Sequence, residues 1–242
     1  MDQELNSFFK KQLLRISTKK QNVFFISDLH LNNKNVVSYS HRPFNDIEEM
    51  NEFLIKSWNG VIQKDDTVFI LGDFCFGGSQ VWNDILDRLN GKKYLIIGNH
   101  DERNFRQNYL SRFEAVSYMM HIYIDDQSIY LTHFPFLCYA GSYKDENGSW
   151  ALSGHVHFNE ISDGRDDERV KNFFPTQYDV GVDANYYMPV SFNDVKNNID
   201  QQKYLGVNQY DIIRKTKKYY FRVFLKKIEE FLKNLKINLY IC

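Results

Sequence analysis

Short apolar runs separated by amphipathic stretches recur along the first half of the chain. The runs at residues 23–27 (VFFIS), 67–71 (TVFIL) and 92–97 (KKYLII) are rich in β-branched and aromatic side chains, and polar residues follow each of them. Such runs are typical of buried strands that end in loops. Residues 46–58 and 80–89, which lie between the runs, carry apolar side chains at helical spacing. This alternation of strand and helix predicts an α/β core with parallel strands.

The pattern changes beyond Glu114. Two apolar runs, at residues 115–124 (AVSYMMHIYI) and 128–134 (SIYLTHF), lie on either side of the polar residues 125–127. Strand-like runs that flank a short polar turn predict a β-hairpin.

Two later runs, at residues 150–154 (WALSG) and 178–183 (YDVGVD), predict further strands. The polar residues 159–175 between them are expected to form an exposed loop or hairpin. A short helix is expected over residues 191–199, with Ser191 as its N-cap.

The C-terminal region differs in character from the rest of the chain. Residues 204–242 carry apolar side chains at helical spacing with a basic opposite face, which predicts an amphipathic helix. We therefore divide the chain into a domain of residues 1–203 and a basic helical appendage of residues 204–242. The favoured interpretation is that the appendage docks on the core or on a second subunit. Docking on a second subunit would give a homo-oligomer. Contact with nucleic acid or a membrane surface is the alternative.

Composition and charge narrow the choice of class. A chain of 242 residues allows one domain with an appendage, and a net charge of -1 gives no general attraction to polyanions. Three cysteines without a C-x-x-C pair argue against a disulfide framework and against a cysteine-based zinc site. The chain also has no stretch typical of a signal peptide or a membrane span. We expect a cytoplasmic protein.

Side chains able to bind metals follow the predicted strands. They are Asp28, His30, Asp73, Asn99, His133, His155 and His157. In an α/β sheet, ligands collect where the carboxyl ends of strands meet, so we expect these residues to converge. In extended geometry, Asp28 and His30 project to the same side, as do His155 and His157, so each pair can bracket a cation.

The chemistry of this set indicates the type of metal. Carboxylate and amide oxygens combined with imidazole nitrogens, without thiolate, suit Mn, Fe, Zn, Ni or Co. Seven ligands are too many for one tetrahedral ion, whereas two ions about 3.5–4 Å apart would use them all if they shared a carboxylate. We expect two divalent cations and favour Mn.

Five short blocks of the chain resemble those of calcineurin-like metallophosphoesterases. The blocks of that superfamily are D-x-H, G-D, G-N-H-D/E, H and G-H-x-H. Their counterparts here, in the same order, are Asp28-Leu29-His30, Gly72-Asp73, Gly98-Asn99-His100-Asp101, His133 and Gly154-His155-Val156-His157. The resemblance implies a sandwich of two sheets flanked by helices.

The resemblance also implies a role for each metal ligand. The first metal would be held by Asp28, His30 and His157, the second by Asn99, His133 and His155, with Asp73 as the bridge between them. Asn99 would also contact the non-bridging oxygens of the substrate.

Two further roles near the leaving group follow from the resemblance. His100 matches the superfamily's histidine that is not a ligand and would stabilise or protonate the departing oxygen. Asp101 would orient the imidazole of His100 and favour its protonated form. A cap for a helix that starts near Glu102 is the alternative role for Asp101.

The reaction implied is hydrolysis of a phosphate ester by metal-activated water. We favour a phosphodiester, such as a cyclic nucleotide or a nucleic-acid end, because a short chain without a large inserted cap leaves an open site. Phosphomonoesterases and protein phosphatases share the same blocks and stay as alternatives. A nucleic-acid-binding protein with secondary hydrolysis, or a fold used only as a binding scaffold, is a further alternative.

Several residues near the blocks have two interpretations. Arg42 would bind a substrate phosphate through its planar guanidinium, or would lie on a solvated loop. Asp183 would close a turn, which we favour, or approach the site. Aromatic residues near the blocks would stack on a base or pack in the core. These are Tyr39, Phe44, Phe134, Phe136 and Tyr139.

Overall fold

Two five-stranded sheets form the centre of the fold. The computed structural model describes residues 14–102, 110–144, 148–158 and 170–215. In chain order the strands are β1 (Leu14–Ile16), β2 (Val23–Ile26), β3 (Thr67–Leu71), β4 (Lys92–Ile96), β5 (Ala115–Ser117), β6 (Met119–Ile124), β7 (Gln127–Thr132), β8 (Trp150–Ser153), β9 (Gln177–Asp179) and β10 (Val190–Ser191). The helices are α1 (Lys34–Tyr39), α2 (Ile47–Val61), α3 (Ser79–Arg88), α4 (Phe192–Leu205) and α5 (Gln209–Lys215), with a 3-10 turn at Leu110–Arg112.

The strand order places the carboxyl ends of several strands at one edge. The first sheet has the order β10-β2-β3-β4-β5, and β2 to β5 run parallel. The second sheet has the order β1-β6-β7-β8-β9, in which only β6 and β7 are antiparallel. The α/β prediction, the two-sheet sandwich and the β6–β7 hairpin are confirmed.

Alternating side chains of the first sheet build two apolar layers. Phe25 on β2 and Phe69 on β3 stack at 5.7 Å between their ring centroids and face the second sheet. Their neighbours Phe24 and Val68 point the other way, into a cluster that includes side chains of α2 and α3. Strands buried on both faces therefore carry continuous apolar runs, which is why their sequences do not alternate.

Side-chain caps define the starts of α2 and α4. The Asp46 carboxylate accepts a hydrogen bond from Glu49 N at 2.8 Å at the start of α2. The Ser191 hydroxyl accepts one from Asp194 N at 3.1 Å at the start of α4, as predicted. Each cap satisfies a backbone donor that has no partner within its own helix.

One predicted strand is divided between the two sheets. The run at residues 115–124 was expected to be continuous, but the structure breaks it at Tyr118, whose side chain is 62% exposed. β5 pairs with β4 in the first sheet, and β6 pairs with β7 in the second. An apolar run does not show where a chain crosses from one layer to the next, so this part of the prediction was wrong.

The start of the proposed appendage is joined to the core. Residues 204 and 205 end α4, and Gly206 closes that helix with a left-handed φ of 63°. Gln209 at the start of α5 accepts a hydrogen bond from Asp179 N at 2.7 Å and donates one to Asp179 O at 3.1 Å. The remainder of the appendage, from residue 216, lies outside the described residues, as does any contact of it with a second subunit or nucleic acid. In the described part of the chain, no helix is long and apolar enough to cross a membrane.

We predict that Gln209→Ala lowers the free energy of unfolding, because it leaves the buried N–H of Asp179 without its partner, whereas Asp179 O keeps its hydrogen bond from Asn185 Nδ2. An unsatisfied buried donor costs about 1–3 kcal/mol. Urea unfolding measures the loss, and Gln201→Ala, at an exposed position of α4, is the matched control. An equal midpoint for the two variants would show that the hydrogen bonds of Gln209 contribute nothing to the stability of the domain.

Candidate metal centre

The loops that follow the strands turn in an unusual backbone conformation. Five of the predicted ligands have a left-handed φ: 57° at Asp28, 49° at His30, 54° at Asp73, 75° at His155 and 45° at His157. We expected extended backbone at the pair Asp28 and His30 and at the pair His155 and His157, and this prediction was wrong. Left-handed backbone in residues other than glycine is strained, and such strain concentrates at functional sites.

Backbone hydrogen bonds hold the loops after β2 and β3 side by side. Asp28 N donates to Gly72 O at 3.1 Å, and His30 N donates to Asp73 O at 2.9 Å. Gly72 has a φ of 92°, and a Cβ atom there would lie 2.4 Å from His133 Nδ1. Only glycine permits both this backbone conformation and the close approach of the histidine.

The first group of candidate ligands consists of Asp28, His30 and His157. The Nε2 atoms of the two histidines lie 3.0 Å apart, and Asp28 Oδ1 lies 4.0 Å from His30 Nε2 and 3.8 Å from His157 Nε2. Asp28 Oδ2 accepts a hydrogen bond from His155 N at 2.8 Å, whereas Oδ1 is buried without a partner. An unpartnered buried carboxylate oxygen beside two imidazole nitrogens is costly unless a cation lies among them. These residues therefore fit a metal ion.

The second group of ligands gathers around Asp73, whose side chain is buried. Asp73 Oδ2 lies 3.5 Å from His133 Nε2 and 3.4 Å from His30 Nε2 of the first group. Asn99 Oδ1 lies 3.0 Å from His133 Nε2, and the rings of His133 and His155 have their centroids 5.1 Å apart. The single carboxylate of Asp73 thus reaches both groups, which is the position that a bridging ligand requires.

The electrostatics of the two groups favour metal ligation. Burial lowers the pKa of His30 well below its usual value, and the nearby His157 lowers it further, so the ring of His30 is neutral and has a lone pair to offer. Burial raises the pKa of Asp73, but its hydrogen bond and attraction to His133 and the neighbouring His30 outweigh this and bring the pKa to about 2. Asp73 is therefore ionised at any pH at which the protein is expected to work.

His133 pairs with the same carboxylate. Burial lowers its pKa, but the hydrogen bond to Asp73 and the carboxylate of Asp28 outweigh burial and raise the pKa to about 9. Ligation requires the neutral imidazole, so binding of a cation at His133 releases a proton.

Hydrogen bonds to Nδ1 orient two of the predicted ligand histidines. His133 Nδ1 lies 2.8 Å from Leu71 O, and His157 Nδ1 lies 2.8 Å from Asp183 Oδ2. Because a carbonyl and a carboxylate only accept hydrogen bonds, both Nδ1 atoms carry the proton. The Nε2 atoms are then free to bind metal, as is usual for ligand histidines in metal sites.

Arg42 has neither of its two predicted roles. It is buried rather than placed on a solvated loop, and its guanidinium is paired with Asp183 rather than open to a phosphate. Its side chain is buried and donates to Asp183 through Nε at 2.9 Å and through Nη2 at 2.8 Å. It also donates to Leu29 O at 3.0 Å and to Asp28 O at 2.6 Å. Arg42 lies behind the first ligand group and fixes the backbone that presents Asp28.

Asp183 is the functional residue that the sequence analysis missed. We favoured a turn, but its carboxylate joins Arg42 to His157, and these opposite charges hold its pKa well below the usual value in spite of burial. The signal was present in the sequence, because Asp183 follows an apolar run in the same way as the predicted ligands do. Ser40 Oγ, at 3.2 Å from His157 Nδ1, belongs to the same arrangement.

Asp101 has other partners than the imidazole of His100. Its Oδ2 accepts hydrogen bonds from Asp73 N and Gly98 N, both at 2.8 Å, and its Oδ1 accepts one from Phe74 N at 3.0 Å. Asp101 therefore fastens the loop after β3 to the loop after β4 and acts on the backbone of the ligands. The alternative role as a helix cap concerns residues 103–109, which lie outside the described part of the chain.

His100 lies on the open side of the site. Its side chain is 44% exposed, and its Nε2 is 3.9 Å from Asp73 Oδ2. His100 N donates to Asp73 Oδ1 at 2.9 Å, and the ring of Phe76 packs against its ring at 5.1 Å between centroids. Asn99 beside it is also exposed. Both side chains face solvent where a substrate would approach.

The fold and these ligand groups define a metal-dependent phosphoesterase. The chain matches the calcineurin-like phosphoesterase family over residues 22–242, and it belongs to that family. It is therefore a metal-dependent phosphoester hydrolase, and the resemblance seen in the five sequence blocks is confirmed.

Relatives of the chain come from archaea and phages. It is 31% identical to an uncharacterized protein of Methanocaldococcus jannaschii, over 75% of this chain and 93% of that protein. It is 30% identical to the Gene 66 protein of Mycobacterium phage L5, over 67% of this chain and 87% of that protein. A protein of unknown function from Aquifex aeolicus has a similar fold, with a TM-score of 0.57 and 24% identity over 73% of this chain and 98% of that one.

We predict that Mn²⁺ stabilises the metal-stripped protein against heat. At a metal concentration one hundred times the Kd, binding contributes about 2.7 kcal/mol, which corresponds to a rise in Tm of about 5–10 °C for a domain of this size. Differential scanning fluorimetry measures the shift. His155→Ala should reduce it, whereas His121→Ala, at a histidine on β6 remote from the ligand groups, should leave it unchanged. Equal shifts in both variants would contradict the assignment of His155 as a ligand.

Asp183→Asn should weaken metal binding although Asp183 is not itself a ligand. The amide removes the charge that orients His157, and partners of this kind typically contribute about 10- to 100-fold in metal affinity. Titration calorimetry of the metal-stripped protein measures the change, with Asp200→Asn on the exposed surface of α4 as the control. An unchanged affinity in a folded Asp183→Asn protein would limit Asp183 to a structural pairing with Arg42.

Proposed function

We propose that the enzyme hydrolyses a phosphodiester at a centre of two divalent cations, of which Mn²⁺ is the favoured metal. The observation that carries the proposal is the position of Asp73, whose Oδ2 lies within 3.5 Å of a histidine from each ligand group. One carboxylate shared by two groups of ligands supports a pair of metals at the separation that in-line displacement at phosphorus uses.

The proposed ligands divide between the two sites as follows. Asp28, His30 and His157 would hold one cation, Asn99, His133 and His155 the other, and Asp73 would bridge them. When bound, the pair of cations supplies a water of lowered pKa and neutralises charge on the phosphate oxygens.

The residues of the chain then perform three tasks around the phosphate. His100, on the open side, stabilises the charge that develops on phosphorus or gives a proton to the departing oxygen. Asn99, which is exposed beside it, contacts a non-bridging oxygen. Asp101 keeps the loops of Asp73 and Asn99 in register through its three backbone hydrogen bonds, so it positions the reacting groups without contacting them.

The preference for a diester is supported by the place of Arg42. A phosphomonoester carries a second negative charge on its terminal oxygens, and a guanidinium is the side chain best suited to bind it. In the described part of the chain, the arginine that contacts the loops of the ligand groups is Arg42, and it is instead engaged by Asp183 behind the ligands. A singly charged diester makes no such demand, and the exposed surroundings of His100 leave room for two ester arms.

We further infer a reducing compartment such as the cytoplasm for this enzyme. Cys138 is exposed and is a free thiol. An exposed free thiol is typical of proteins in reducing compartments.

Hydrolysis of bis-p-nitrophenyl phosphate and of p-nitrophenyl phosphate tests the proposed reaction. Metal-stripped protein refilled with Mn²⁺, Ni²⁺, Zn²⁺ or Mg²⁺ should cleave the diester faster than the monoester. His100→Ala should reduce kcat by about 10²- to 10⁴-fold, as expected for the loss of general acid catalysis or charge stabilisation. Asp73→Asn should remove activity together with bound metal.

One control variant and the comparison of the two esters separate the possible outcomes of this assay. His121→Ala should retain full activity, which excludes a general effect of removing a histidine. Cleavage of the monoester alone would identify a phosphatase, and turnover of neither ester by protein with two bound metals would contradict the proposed reaction on simple diesters.

A further inference from the structure

The structure separates the aromatic residues near the site into two kinds. Phe44 packs against Phe53 and Tyr187, with ring centroids 5.4 Å and 5.1 Å apart, and belongs to the core under α2. Phe136 and Tyr139 pack against Tyr130 on the second sheet and against each other. Packing against the core or the second sheet therefore accounts for these three of the five candidate rings.

Tyr39 and Phe134 remain half exposed beside the ligands. Their side chains are 51% and 49% exposed, respectively. Tyr39 ends α1, and Phe134 directly follows the ligand His133. Apolar rings left in water at the mouth of a site gain nothing from core packing, so burial does not explain their position.

Each of these two rings borders a different ligand group. Tyr39 lies beside the first group, at 5.8 Å from the ring of His157 and 6.4 Å from that of His30. Phe134 lies beside the second group, at 4.6 Å from the ring of His155 and 4.9 Å from that of His133. Because Asp73 reaches both groups, a phosphate held by cations at the two groups would have one exposed ring beside each group.

The orientation of the rings argues against a role as covers over the ligands. Phe76 does cover a ligand, since its ring lies at 28° to the plane of the His30 ring with centroids 5.6 Å apart. Tyr39 stands at 77° and 87° to its histidine neighbours, and Phe134 at 68° and 72°. Neither ring is stacked flat on an imidazole, and each is about half exposed, so each has surface available for another planar group.

We propose that Tyr39 and Phe134 are two stacking platforms, one for each arm of the substrate, and that the substrate is the phosphodiester link between two nucleosides of an unpaired strand. This proposal rests on the proposed function, because the phosphate must lie at the metal centre for the two arms to reach the rings. Stacking on aromatic side chains accepts any base and needs no basic surface, in keeping with a net charge of -1. A base within a duplex has both faces occupied, so an unpaired strand is required.

An equilibrium binding experiment tests the platforms independently of turnover. The ligands are a thymidine dinucleotide with a phosphorothioate link, which resists hydrolysis, and dimethyl thiophosphate, which has the same charged centre without bases. Titration calorimetry of the metal-loaded protein gives the Kd of each. Replacing either ring, by Tyr39→Leu or Phe134→Leu, should weaken dinucleotide binding about 5- to 150-fold, the range for loss of one base–aromatic stack. Binding of dimethyl thiophosphate should not change.

Matched variants separate stacking from a structural role. Phe134→Trp and Tyr39→Phe keep a planar face and should retain dinucleotide affinity, whereas leucine of similar apolar character should not. Tyr143→Leu removes a ring that is 81% exposed on the loop after β7 and should have no effect. Metal content measured in each variant should equal that of the wild type.

Kinetics with thymidine 5′-p-nitrophenyl phosphate extends the test to catalysis. Both leucine variants should raise KM and leave kcat unchanged, because stacking binds the substrate and the transition state equally. Unchanged dinucleotide affinity in both leucine variants would overturn the proposal, as would an equal loss of affinity for dimethyl thiophosphate or a loss of metal. If dinucleotide binding depends on the rings but the protein cleaves no diester, the stacking proposal holds and the proposed function is contradicted instead.

Discussion

A carboxylate oxygen that is buried without a hydrogen-bond donor is the constraint around which this site is built. Asp28 Oδ1 faces the Nε2 atoms of His30 and His157, and water does not reach it to compensate its charge. Burial of such a group is unfavourable by several kcal/mol unless a cation offsets it. The first sheet and the loops after β2 and β8 keep these three side chains together, and the Arg42–Asp183 pair supports them from behind. The fold itself therefore creates the site that needs a metal ion.

The support for the ligands comes from charged groups that never meet the substrate. Arg42 and Asp183 neutralise each other in the interior, and their remaining hydrogen-bond capacity goes to the backbone of Asp28 and Leu29 and to the ring of His157. Buried ion pairs contribute little net stability when compared with apolar side chains. The role of this pair is to orient its neighbours, because the planar guanidinium of Arg42 fixes both the carboxylate and the carbonyl groups that it contacts.

The sequence predicted which side chains converge better than it predicted what surrounds them. Residues such as Asp73 and His133 were predictable, since each follows an apolar run and parallel strands end at a common edge. The pairing of Arg42 with Asp183 was not predictable, because the two residues are 141 positions apart and neither carries a local signal of the other. Asp101 was misjudged for a related reason: its neighbour in sequence is an imidazole, but its partners are backbone N–H groups, and a sequence does not show where those point. Nor does an apolar run show a crossing between layers, as at Tyr118.

The left-handed backbone at Asp28, His30, Asp73, His155 and His157 has an evolutionary consequence. At each of these positions, glycine would fit the backbone with less strain than the proposed metal ligand. The loops at this edge of the fold are therefore under backbone strain. Selection for stability alone would replace the proposed ligands one by one. Chains of this fold that lose activity are therefore expected to gain thermodynamic stability, because the substitutions that abolish metal binding also relieve the backbone strain in the loops.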